Sequence, residues 1–230
     1  MAEYDYIAEN LQTVRANIEA VSRRAGRSGV KLVAVTKGAT DDEVRALLGL
    51  GVDAIGENRA QLFNRRADIV GESGLSVETH LIGSLQTNKV RAVIDRATLI
   101  QSVDRLSLAE EIERQASKRN MTVRVLLEVN SGREEAKGGV MPEDVFAFHA
   151  AVSAMPHIAV AGLMTMAPHS EDPEDYRPYF RETYAAFAKI RDAGGFVGEP
   201  ILSMGMSESY EVAIEEGATM VRVGTSLFRK

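Results

Sequence analysis

Lys37 closes a β-branched run, Lys31-Leu-Val-Ala-Val-Thr-Lys37, and Gly-Ala-Thr-Asp-Asp follows it before a helical pattern begins. In a strand the side chains alternate, so Lys37 shares a face with Val33 and Val35. An amine projecting from such an apolar wall has its ammonium disfavoured by desolvation, which is the state a Schiff-base lysine needs. The alternative is a solvated lysine at a strand end. Two further segments suit an anion. In Ser203-Met-Gly-Met-Ser207, Gly205 lets backbone approach a ligand, and Ser207 is expected to open a helix whose free amides and dipole point at whatever binds. In Arg222-Val-Gly-Thr225, Gly224 and Thr225 offer a second amide and a hydroxyl. An ordinary N-cap is the competing reading of Ser207. Arg222 alternates with Val221 and Val223; pointing inward, it is a buried cation that needs a partner, and Glu57 is the candidate for a structural pair.

The elements that position these residues repeat along the chain. Apolar runs at 31–37, 53–57, 79–84, 98–103, 123–130, 159–166, 201–205 and 219–224 read as eight strands, and all but the last are followed by helical spacing. Such alternation needs parallel strands with right-handed crossovers, and eight units close most naturally into an α/β (β/α)8 TIM barrel, with a doubly wound open sheet as the other arrangement. The chain ends at Ser226-Leu-Phe-Arg-Lys230, which leaves no room for an eighth C-terminal helix. An extra N-terminal helix carrying Ile7, Leu11, Val14, Ile18 and Val21 is expected to cover the barrel where that helix would lie. No linker divides the sequence, so residues 1–230 are expected to form one domain, with a longer loop at 130–139. Sites in parallel barrels sit at the carboxyl ends of the strands, and phosphate commonly lies at the loops after strands seven and eight. Lys37, Gly56-Glu57-Asn58, Ser203–Ser207 and Arg222–Thr225 therefore converge on one rim.

Composition narrows the possibilities. At 230 residues and 45% hydrophobic the chain can bury a sizeable core, and its net charge of -6 is spread without like-charge blocks. Neither a nucleic-acid surface nor a polybasic membrane patch is indicated. The absence of cysteine removes disulfides, thiolate metal sites and a cysteine nucleophile. The amino terminus lacks the basic and apolar regions of a signal peptide, and a cytoplasmic location is expected. His80, His149, His157 and His169 lack metal-ligand spacing, so no metal is expected. Met164, Met166, Met204 and Met206 are read as packing around a ring.

An amine on the first strand, an anion cradle on the last two and an inward arginine beside it resemble a pyridoxal 5'-phosphate (PLP) pocket. The motifs Leu-Val-Ala-Val-Thr-Lys37, Ile-Gly-Glu-Asn58, His80-Leu-Ile-Gly-Ser-Leu-Gln-Thr-Asn-Lys89, Ser102-Val-Asp-Arg105, Val129-Asn130 with Glu134 and Lys137 before Gly139, Gly162-Leu-Met-Thr-Met-Ala167, Ser203–Ser207 and Val221–Thr225 occur in order on strand ends. Across residues 31 to 228 the chain thereby resembles the pyridoxal-phosphate homeostasis proteins of the YggS/PROSC type, which share the barrel of alanine racemase without its second domain.

The resemblance implies that Lys37 carries PLP as an internal aldimine and that Ser207, Gly224 and Thr225 hold its phosphate. It also implies that Asn58 and Met204 line the pocket and that Arg222 faces the pyridine nitrogen. A permanent cation there disfavours ring protonation and leaves a poorer electron sink. The six tyrosines are expected on helices or their starts rather than as the second base that alanine racemase takes from its additional domain. The implied role is a carrier or buffer in PLP homeostasis, monomeric, passing PLP to apo PLP-dependent enzymes, with little or no catalysis. A low-activity amino-acid racemase is the alternative, and a cofactor-free class I aldolase-type barrel the third reading. Lys89 and Lys137 are candidates to contact phosphate or accept the cofactor, against surface lysines. The chain departs from the family pattern at Gly38–Thr40, Arg59, Leu62, Thr79, Ser209 and Arg229.

Overall fold

A computed structural model of the chain describes residues 4–134 and 136–230, so one residue of the loop expected at 130–139 lies outside the described residues. The strands are Lys31–Val35 (β1), Ala54–Glu57 (β2), Glu78–Leu81 (β3), Leu99–Val103 (β4), Val123–Val129 (β5), Ile158–Thr165 (β6), Ile201–Ser203 (β7) and Met220–Val223 (β8). They pair in parallel in chain order and close, β8 on β1, into a barrel. Each lies within or beside its predicted run. Several stop short because their last residues turn outward to form the rim. β1 ends at Val35; the Thr36 amide still donates to Gly56 O, but the Ala39 amide then turns back to Thr36 O, and Gly38 takes φ +82, a region glycine enters without steric penalty.

Helices Asp5–Arg24 (α1), Asp41–Gly49 (α2), Ala60–Ser73 (α3), Val90–Val93 (α4), Leu106–Ser117 (α5), Val145–Ser153 (α6), Arg177–Asp192 (α7), Tyr210–Glu215 (α8) and Thr225–Phe228 (α9) surround the strands. Local chemistry starts α2 firmly. Thr40 and Glu43 form a reciprocal capping box, which also ends the turn that carries Lys37. No helix among the described residues is long and apolar enough to cross a membrane.

The one-turn helix α9 follows β8, where no helix was expected. It is too short to cover a strand, and α1 supplies the cover. Ile7, Leu11, Val14, Ile18 and Val21 are all buried, on a face that packs against α8, α9 and α2. The Asn10 amide donates to Leu227 O at 3.1 Å and Arg229 O at 2.8 Å, tying the two ends of the chain together. The seam between β8 and β1 is thus sealed from outside by the first helix. Inside, Val33, Ala54, Leu99, Leu126, Ala161, Met164 and Met220 form an apolar cluster. The buried polar side chains of His80, Gln101, Ser203 and Arg222 lie on the same strand faces.

Because Leu11 is 2% exposed at this seam, Leu11→Ala is expected to lower unfolding free energy by about 2–5 kcal/mol, the cost of a core truncation with its cavity. Urea unfolding followed by circular dichroism measures it, and a loss under about 1 kcal/mol would show that α1 is a dispensable cover.

Candidate functional site

The carboxyl rim opens into a cavity of about 540 Å³ whose lining includes Lys37, Asn58, Ser207, Arg222, Gly224 and Thr225. Six of the seven residues singled out from the sequence therefore share one pocket. Met204 does not line it. Met204 is fully buried in the main apolar core, whereas Met206 is exposed at the mouth and does line the cavity. The chain changes direction between them at Gly205, φ +90, where an added Cβ would lie 2.5 Å from the Ala213 methyl and 2.8 Å from the Tyr210 Cα. Alternation along the strand therefore holds through Met204, which shares the outward face of Leu202, and stops at Gly205.

Lys37 stands beyond the end of β1, in the turn, and is exposed. Because the strand has already ended, alternation does not set its face; Lys37 lines the pocket together with Val35 and Ile82 and remains exposed. The turn itself is anchored from beneath. The carboxylate of Glu57, 1% exposed, accepts from Thr36 Oγ1 at 3.2 Å and from the Asn58 amide at 2.8 Å, so one buried side chain fixes the pocket residue Asn58 and the neighbour of Lys37. Buried Arg66 donates to Ala39 O and to Asp41, and its Nε lies 4.0 Å from Glu57 Oε2. Glu57 is committed here and is not the partner of Arg222. Among the described residues Asn58 Oδ1 is buried with no hydrogen-bond partner, an acceptor left for a donor on a ligand.

The anion cradle differs from the expected helix start. Ser207 does not cap a helix: α8 begins at Tyr210, and Ser209, a departure from the family pattern, accepts the Met206 amide on its Oγ at 3.1 Å. The Ser207 hydroxyl instead lies 3.4 Å from the amides of both Gly224 and Ser226. These are long contacts, and the two amides are donors that an anion would satisfy better. Gly224 lets the end of β8 come close to β1, since a Cβ there would lie 3.0 Å from Val35 O. That approach sets the donors beside the turn bearing Lys37.

Arg222 is 3% exposed and points inward, donating to Ser203 Oγ at 2.7 Å and to Thr165 O at 3.0 Å. Burial pulls its pKa down to about 10, opposed by the charge of Glu128. Glu128, 4% exposed and also lining the pocket, is pushed up to about 7, first by burial and then by the charge of Asp104, with Arg222 pulling the other way. Gly138 runs between these carboxylates: a Cβ there would lie 2.9 Å from Asp104 Oδ2 and 3.7 Å from Glu128 Oε2. Sequence reasoning missed Glu128. Its signal was a carboxylate inside the apolar β5, two residues after Leu126 and so on the same inward face.

Of the two extra lysines, Lys137 lines the cavity and Lys89, on the turn Thr87–Lys89, does not. Tyr176, expected at a helix start, also lines the cavity. Its hydroxyl donates to Ser170 O at 2.9 Å and accepts the Ser170 amide at 3.0 Å, which pins the loop after β6. Among the described residues no cluster of histidines and carboxylates could hold a metal ion.

The family model of the alanine racemase N-terminal domain matches residues 10–229. A pyridoxal phosphate homeostasis protein of Aquifex aeolicus is 43% identical over 222 residues, covering 96% of each chain. One of Pseudomonas aeruginosa is 36% identical over 227 residues, covering 96% of this chain and 94% of its own. PipY of Synechococcus elongatus, solved with PLP bound, superposes with a TM-score of 0.83 at 29% identity, covering 96% of this chain and 99% of that one.

Glu128 gives the pocket a pH signature. Its carboxyl ionises near 4.5 when unfolded and near 7 in the fold, so over that interval the folded state holds an extra proton and stability falls as pH rises. Below the interval both states are protonated; above it the buried carboxylate exerts its full penalty, on the order of 3 kcal/mol. Glu128→Gln cannot ionise and is expected to gain stability relative to wild type on going from about pH 4.5 to about pH 8, by up to ~3 kcal/mol. Urea unfolding of both proteins across that range measures the difference, and a gap independent of pH would remove Glu128 as a titrating pocket group.

Proposed function

The chain belongs to the pyridoxal phosphate homeostasis protein family, built on the alanine racemase N-terminal-domain barrel, and from that membership we propose that it binds PLP through Lys37 and holds it for delivery. The observation that carries this reading is the meeting, in one cavity, of a solvated amine, a set of anion donors and a buried arginine. The residues present fit PLP. When bound, PLP supplies an aldehyde that traps amines and an electron-poor ring.

Lys37 is the residue that would hold PLP, through the aldehyde the cofactor offers to an amine. Exposure of the amine favours this capture, because the cofactor reaches it from solvent without a rearrangement of the core. The Ser207 and Thr225 hydroxyls and the amides of Gly224 and Ser226 would hold the phosphate, at the part of the rim where barrels of this kind commonly bind one. Arg222 would lie toward the ring of bound PLP and, as a cation, would oppose protonation of the ring nitrogen. Asn58 Oδ1 awaits a donor on the ligand.

Holding fits these groups better than turnover. An unprotonated ring is a weak electron sink. The tyrosine in the pocket, Tyr176, already spends its hydroxyl on Ser170, which supports a role in anchoring the loop rather than in moving a substrate proton. We take the protein to act as a one-domain monomer in the cytoplasm, with apo PLP-dependent enzymes as recipients. Lys137 is a second amine at the mouth for the outgoing aldehyde.

Purified protein mixed with PLP is expected to turn yellow and, after borohydride reduction, to carry a phosphopyridoxyl group on Lys37 by peptide mass spectrometry. Lys37→Ala is expected to lose the band and the adduct while keeping its fold. A wild-type protein that stays colourless and unlabelled would sink the reading, and racemisation of alanine well above that of free PLP would replace holding with catalysis.

A further inference from the structure

Barrels of this type fill their interiors with branched apolar side chains. Exchanging buried polar groups for apolar ones of similar size is often neutral or stabilising, so a polar interior is unexplained by stability alone. Here His80, Gln101 and Ser203 are each 0% exposed and Arg222 3%, and none of the first three lines the pocket. They are joined end to end. Lys31 Nζ donates to Glu78 Oε1 at 2.6 Å, Glu78 Oε2 lies 2.8 Å from His80 Nε2, and His80 Nδ1 lies 3.0 Å from Gln101 Nε2. The Ser203 hydroxyl donates to Gln101 Oε1 at 2.7 Å and accepts from Arg222 Nη1 at 2.7 Å.

Every link in this file has one polarity. The Glu78 carboxylate can only accept, so His80 carries its proton on Nε2; burial keeps the ring neutral, and Nδ1 is left as an acceptor. Gln101 must then turn its NH₂ toward His80 and its carbonyl toward Ser203. The Ser203 hydrogen is committed to that carbonyl, which aims the oxygen lone pairs at Arg222. Arg222 itself meets a hydroxyl and a backbone carbonyl rather than a contacting carboxylate. Neutral acceptors fix its orientation without cancelling its charge, and its remaining N–H groups stay available.

We propose that His80, Gln101 and Ser203 are positioning residues: a one-way hydrogen-bond file, oriented from Glu78 at the opposite end of the barrel, that aims the Arg222 guanidinium at the ligand in the pocket. This rests on the reading that the pocket takes PLP with Arg222 at its ring. Gln101 is outside the pocket and also donates to Met220 Sδ at 3.3 Å, so the Ser203 variants, which leave that contact intact, isolate the route through Ser203 and Arg222.

The test titrates PLP into full-length protein. Gln101→Met keeps the volume and cannot make either hydrogen bond; it is expected to weaken PLP affinity about ten-fold or more and to shift the absorption maximum of the bound cofactor. Ser203→Ala is expected to do the same and Ser203→Thr, which keeps the hydroxyl, to restore both, so the pair serves if Gln101→Met does not fold. In ligand-free wild type, nitrogen NMR is expected to find His80 neutral with its proton on Nε2, and the Arg222 guanidinium signals are expected to move in the variants. A lower melting temperature with unchanged affinity, band and Arg222 signals would overturn the proposal and leave the file a purely structural feature. If wild type takes up no PLP, the proposed function fails, while the ligand-free Arg222 signals still decide for or against the file.

Discussion

β8 pairs with β1 in parallel, with Arg222 opposite Val33 and Val223 opposite Ala34. That pairing joins the last strand to the first, and the pocket depends on it. Parallel strands in register carry their carboxyl ends to the same rim, so the turn holding Lys37 and the Gly224–Thr225 turn become neighbours. Gly224 allows the close approach to Val35, and the outer side of the same seam is covered by α1. One closure therefore connects three parts of the sequence: the N-terminal helix protects the seam, the first strand ends in the amine, and the last supplies the arginine and the anion donors.

Around this seam the protein places charge where a barrel would otherwise place hydrocarbon. Arg222 and Glu128 both line the cavity and both have their ordinary ionisation opposed by burial, each partly relieved by the other. They attract across the pocket without a direct hydrogen bond between them. A closed ion pair would satisfy both groups and leave little for a ligand; held apart, they keep electrostatic capacity for one. Such a site sacrifices stability for binding, a common compromise at functional positions. Glu57, Arg66 and the Thr40–Glu43 box do the complementary task of holding the rim, while Lys37 itself remains exposed.

Several expectations failed at the same kind of place, the point where a strand becomes a loop. Lys37 was assigned a face by continuing strand alternation past the true end of β1, whereas Met204, placed in the pocket by the family resemblance, shares the outward face of Leu202. Ser207 was expected to open a helix whose amides face a ligand, yet Glu208 and Ser209 intervene before α8 and its hydroxyl faces the end of β8. The single turn α9 occupies a stretch too short to show helical periodicity. Alternation holds only while the backbone stays extended, and a positive-φ glycine such as Gly38 or Gly205 resets it.

The amino-acid sequence by itself determined the eightfold strand and helix alternation, the buried stripe of the N-terminal helix, and the residue types that gather at the rim. Those features are local and periodic, and periodicity survives in one dimension. Tertiary structure alone decided which groups meet. Glu128 became a titrating pocket group through burial and the nearness of Asp104; Glu57 became an anchor for the Lys37 turn instead of a partner for Arg222. The file from Glu78 through His80, Gln101 and Ser203 to Arg222 draws on β3, β4, β7 and β8, and no spacing within one segment reports it. Contacts across a closed barrel depend on register and shear, which are set when the strands pair, so their chemistry is written only in the folded chain.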